Sequence, residues 1–134
     1  MNKVFAGVVA VAAGLALAGC GGKPAGGGDP YAGLDDAIRA WKTDLSAGDA
    51  SCRSAPAGAK CEMFEVSCKA QRNITPPETS QGVSAKLVAH MTWSGFDERG
   101  GEEPHSAAAQ FVKVNGTWTR SAVKAVNPET CADQ

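Results

Sequence analysis

The chain has 134 residues, 43% of them hydrophobic and 20% charged, with thirteen basic and fourteen acidic side chains. That length suits one modest core and leaves no room for a second large domain. The balance of charge, without a basic cluster, argues against nucleic acid or anionic lipid headgroups as partners.

Lys3 and an uncharged stretch of Val, Ala, Gly, Leu and Phe from Val4 to Ala18 open the chain. The stretch falls short of the roughly 20 residues that a membrane-crossing helix needs. Gly, Pro and Ala follow it, where a stop-transfer segment would carry a basic cluster. Its layout is that of an export signal. Leu17-Ala18-Gly19-Cys20 resembles the lipobox of bacterial lipoproteins at every position. That resemblance implies a diacylglyceryl thioether on Cys20, cleavage between Gly19 and Cys20, and an acyl chain such as palmitate on the new amino terminus. More than one acyl chain gives a stable membrane anchor. Gly21 stands where inner-membrane lipoproteins of this kind carry aspartate, so the resemblance implies the outer membrane, facing the periplasm. Residues 1–19 are thus read as a signal peptide. Residues 20–28, five glycines with Lys23, Pro24 and Ala25 after the cysteine, read as a flexible tether, and 29–134 as one small domain. Losing Lys3 leaves twelve basic against fourteen acidic groups, a net of −2.

Within the domain, Asp29-Pro30 is a helix opening, since Asp caps free amides and Pro suits the first turn. Leu34, Ile38, Trp41 and Leu45 then recur at helical period, with Ala37 beside them. The spacing predicts a helix from about Pro30 to Ala47, stopped at Gly48. Ala50 to Lys60 reads as a loop. From Cys61 the period becomes two: Phe64, Val66, Cys68 and Ala70 predict a strand with one buried face. Asn73 to Gly82, with Pro76-Pro77, is a break. Val83, Ala85, Leu87, Ala89, Met91 and Trp93 predict a second strand, with Val88 the one apolar residue on the other side. Gly95 to Pro104 reads as a long hairpin loop, Ser106 to Val114 as a third strand, and Asn115-Gly116 as a two-residue type I′ turn. Thr117 to Val126 is the fourth strand, with a bulge expected in the last pair.

Apart from Cys20, four cysteines remain: Cys52, Cys61, Cys68 and Cys131. An even number in a small exported domain reads as two disulfides. Intervals of nine, seven and sixty-three residues do not fit zinc-ligand spacing. Of the three pairings, Cys52–Cys61 with Cys68–Cys131 is preferred, because one closes a loop and the other pins the carboxyl tail.

The elements make an α+β domain: one N-terminal helix packed on a curved four-stranded antiparallel sheet. The segment ending in Ser46-Ala47-Gly48-Asp49-Ala50 resembles the first helix of small nuclear-transport-factor-like domains. Phe111 to Trp118 resembles their terminal hairpin, and the whole pattern is similar to cystatin-like domains. The extra helices of the first group have no counterpart here.

Candidate chemistry is sparse. Pairing about Gly100 would set His90 opposite Gln110 and His105 opposite Gly95, about five positions or roughly 17 Å apart, too far to share a metal. Both histidines therefore read as solvated, as do Asp35-Asp36 and the carboxylates of Asp97 to Glu103. No Gly-x-Ser-x-Gly and no phosphate loop occurs. Trp41 and Trp93 read as core and Trp118 as partly exposed. The expected function is a non-catalytic, lipid-anchored envelope protein acting through protein contacts, with no catalytic residues, no metal and no cofactor. The alternatives are a small-ligand module with a pocket between helix and sheet, and an isomerase- or dehydratase-like enzyme.

Overall fold

The computed structural model describes residues 28–134. The expected signal peptide, the expected Gly19–Cys20 cleavage site and the expected tether up to residue 27 lie outside them.

Asp29-Pro30 opens a turn, and the helix starts later than that signal suggests. The Asp29 carboxylate accepts from the Tyr31 amide at 2.9 Å, so the cap is spent on a local turn. Gly33 then takes φ +83°, and helix α1 runs Leu34–Gly48. The turn docks on the far hairpin: Trp118 Nε1 and Lys113 Nζ both donate to the Ala32 carbonyl. Leu34 and Trp41 of α1 are buried, with Ala37, Ile38 and Leu45 packed beside them. After Gly48 the chain does not enter a loop at once. Asp49 caps a single-turn helix, α2 (Ala50–Arg53), by accepting from the Ser51 amide and hydroxyl.

Strand β1 covers Glu62–Gln71, and the break after it holds helix α3 (Pro76–Ser80). Thr75 and Glu78 form a full capping box around that turn, a Thr-x-x-Glu signal that the break concealed. The long strands β2 (Val83–Phe96) and β3 (Glu102–Val114) follow, then β4 (Thr117–Ala122). All pair antiparallel in the order β1-β2-β3-β4. The β2–β3 loop is only Asp97–Gly101, because the Asp97 carboxylate collects the Arg99 and Gly101 amides and closes it tightly. Asn115 and Gly116 have φ of +48° and +83°, as a type I′ turn requires.

Two irregularities in β1 decide what lies where. The β1–β2 register shifts between Glu62 and Glu65, where Met63 has φ +57°, and again between Val66 and Cys68. The second shift inserts Ser67 as an extra residue and reverses the alternation. Phe64 and Val66 therefore join Leu87, Met91, Trp93 and Phe111 beneath α1, on what we term the front face. Cys68 and Ala70 lie on the back face with Val88. The expectation that all four share one face is corrected by this bulge. The β3–β4 ladder, where a bulge was expected, runs without a shift.

The fourth strand also ends early. After Ala122 the chain leaves the sheet and crosses the back face, burying Val126 and Cys131 against Val88. This tail folds on itself through Asn127, which accepts from the Glu129 and Thr130 amides, and through a Val126–Asp133 bridge. Arg72 fastens it, donating to the Cys131 carbonyl at 2.7 Å and to the Asp133 carboxylate at 2.9 Å.

The fold is α+β with a four-stranded antiparallel sheet and three helices among the described residues. Its disulfides are Cys52–Cys61 and Cys68–Cys131. The first clips α2 to the start of β1, and the second clips the tail to the back face.

Candidate functional site

The departure of the tail opens a fork. On one side stands β3 from Pro104 to Ala108, and on the other Ala122 to Pro128. Between them lies a groove of about 690 Å³ whose floor reaches His90 and Thr92 of β2. Among the described residues, no carboxylate, ammonium or guanidinium lines it.

His90 was expected in solvent, yet it is only 7% exposed. The tail is the reason, since it covers the back face that strand alternation assigns to water. The Ser67 hydroxyl, aimed inward by the β1 bulge, lies 2.6 Å from Nδ1. A hydroxyl donating there leaves the ring proton on Nε2. Nε2 itself has no hydrogen-bond partner among the described residues. Burial pushes the imidazole pKa down, so the ring stays neutral at ordinary pH.

A second constellation sits at the open end of the front face. Ser51 is buried; its hydroxyl donates to the Asp49 carboxylate at 2.7 Å and accepts from Trp93 Nε1 at 3.0 Å. Trp93 stacks between Phe64 and His105, with centroids 5.7 and 6.1 Å away. His105 Nε2 lies 3.3 Å from a Glu103 oxygen, but off the line that a hydrogen bond needs, and it is otherwise enclosed. Gly95 makes room for this stack, because a Cβ there would fall 2.6 Å from Ser51 Oγ and 2.7 Å from His105 Cδ2. Serine, histidine and carboxylate thus come together, but the serine proton is already committed to Asp49. The cluster holds α2 against β2 and offers no free nucleophile.

The two histidines share no site. His90 pairs with Ala108 and His105 with Trp93, two positions from the expected register, so the rings lie on opposite faces. No group of three His, Cys, Asp or Glu side chains suited to a metal occurs among the described residues. Asp35 and Asp36 are exposed on α1, with Asp36 paired to Arg39. Trp41 and Trp93 are core, and Trp118 is half-buried against Gly33. The space between α1 and the sheet is filled, with Trp41 set edge-on to Phe111 at 5.7 Å. A cleft of about 330 Å³ opens at the first turn of α1, between Tyr31, Asp35 and Lys69.

One sequence signal for the back-face groove was present. Val88 breaks the alternation because its face is buried too. The small residues Ala107 and Ala108 carried no sign that they border a cavity. Comparison with family models, with curated proteins and with solved structures gives no match to this chain.

Proposed function

We propose that this chain is an exported lipoprotein, anchored through Cys20 and facing the periplasm from the outer membrane. On this reading it acts there without catalysis, through contacts with a protein partner. One observation carries it: the four cysteines of the described domain consume one another as Cys52–Cys61 and Cys68–Cys131. That pattern belongs to an oxidising compartment outside the cytoplasm. It leaves the lipobox thiol of Cys20 as the fifth cysteine, for lipid chemistry. The committed hydroxyl of Ser51 supports the non-catalytic part. The bulges at Met63 and Ser67 support a sheet that curves about α1, as in the cystatin-like domains the sequence resembles.

The test is Cys20→Ala in an exporting bacterial host, read by intact mass and membrane fractionation. The parent chain should lose residues 1–19, gain the mass of its acyl chains and stay with membranes. The variant should accumulate as uncleaved precursor. Normal processing of the variant, with membrane retention, would overturn the reading.

A further inference from the structure

The fork bares a stretch of sheet edge. β3 runs Glu102–Val114, but β4 pairs only with Ala109 to Val114. Successive residues of a strand send their N–H and C=O to opposite sides. Val114 and Thr117 flank the two-residue turn, the position where facing residues exchange both hydrogen bonds. Counting back by twos, Val112 and Gln110 face β4, and Ala108, Ser106 and Pro104 face the same side beyond its end. The pairing of β3 with β2 runs one for one from Lys113 to Glu102, and the one shift, between Val83 and Ala85, puts its extra residue on β2, so the count along β3 stands. Pro104 agrees independently, since a strand tolerates proline only where the missing N–H would face a free edge. No hydrogen bond reaches the backbone of Ser106 or Ala108 on that side from the described residues.

We infer that this edge receives an extended segment of a protein partner, which continues the line of β4 and pairs with Ser106 and Ala108. The inference rests on the protein-contact reading above and names its surface. The chemistry of the segment follows from the walls. The groove lacks charge, so the three or four residues that pair must be uncharged, because a buried unpaired charge is costly. Ala108 and Ala122 in the walls let a back-facing side chain pass toward Nε2 of His90, which can meet a hydrogen-bonding group. Glu102 and Glu103 stand exposed at the open end and suit a lysine or arginine at the end of the segment. A second copy fits poorly. In antiparallel self-pairing about Ser106, its Ser121 and Ala122 would occupy the line taken by Glu102 and Glu103. A small molecule would leave the edge amides unmet, whereas strand addition satisfies them in register.

Hydrogen exchange on the full-length chain in detergent tests this, with the acetylated peptide Thr-Val-Thr-Val-Lys amide as probe. Without peptide, the Ser106 and Ala108 amides should exchange fast and those of Ala107 and Ala109 slowly. Saturating peptide should slow the Ala108 amide by about tenfold or more, an effect of the size one or two net hydrogen bonds give. Ser106→Pro removes one edge N–H that the fold does not use, and should abolish that slowing. Slow exchange at Ala107 and Ala109 in the variant reports that it is folded. Protection at Ser106 that grows with protein concentration alone would assign the edge to a second copy and overturn the inference. Failure of millimolar peptide to protect either amide would also overturn it. A normally processed Cys20→Ala chain would sink the lipoprotein reading and leave these exchange results untouched.

Discussion

The two faces of the sheet are covered by different means. The front carries large side chains (Phe64, Met91, Trp93, Phe111) and receives a fifteen-residue amphipathic helix. The back carries Cys68, Ala70, Val88 and Ala108, and receives an irregular tail held by one disulfide and one arginine. A helix satisfies its own backbone and needs only an apolar stripe to dock. A tail without regular structure gains too little from burial to hold its place, so a covalent link and side-chain hydrogen bonds hold it. Reaching the back face takes the tail out of β4's line, and that departure creates both the groove and the bare edge of β3.

Breaking the front face should have the largest effect. Trp93→Ala removes a buried aromatic and leaves Ser51 without its donor, and should cost about 3–5 kcal/mol in urea unfolding. A loss below about 1 kcal/mol would show that the front core does not dominate.

The disulfides sharpen the contrast. Cys68–Cys131 closes a sixty-three-residue separation and Cys52–Cys61 one of nine. The chain-entropy relation gives about 4 and about 2.5 kcal/mol for the two loops. Replacing Cys68 and Cys131 together by serine should therefore destabilise more than the same change at Cys52 and Cys61. It should also free the His90 ring to solvent, while the amides of β2, paired on both sides, stay protected. Equal losses from the two double variants would remove the distinction.

The smallest effects come from pH, and they belong to the back face and its flank. Hydrogen bonding from Lys86, then from the Thr75 amide and hydroxyl, lowers the Glu78 carboxyl pKa to about 2. Its contribution is complete above the ordinary 4.5 and is lost as pH falls from there toward 2. Burial lowers the His90 pKa below the ordinary 6.5, so the unfolded chain takes up that proton first and stability declines as pH falls below 6.5. Urea midpoints measured against pH should show both stages. His90→Gln should remove the upper one and Glu78→Gln the lower. A profile unchanged in either variant would mean that the group titrates alike in both states.

Much of this was legible in the residues. Leu34, Ile38, Trp41 and Leu45 gave α1 its face, the run Val83 to Trp93 gave β2, and Asn115-Gly116 gave the last hairpin. Thr75-x-x-Glu78 was missed, because the break read from Asn73 to Gly82 hid the capping box that forms α3. The site was hardly legible. Val88 was its one trace, and Pro104, read as the end of a loop, was the one mark of the free edge of β3, which exists only where β4 stops.

Sequence by itself determined helix α1, the existence and order of the four strands, the Asn115-Gly116 turn and the even cysteine set, since each depends on residues close along the chain or on composition. Tertiary structure decided which face each β1 residue takes, because one inserted residue at Ser67 inverts everything beyond it. It also decided that His90 is buried and the β3 edge is bare. Both follow from where residues 123–134 come to rest, against Val88 and bonded to Cys68, a contact between distant segments that no local period encodes.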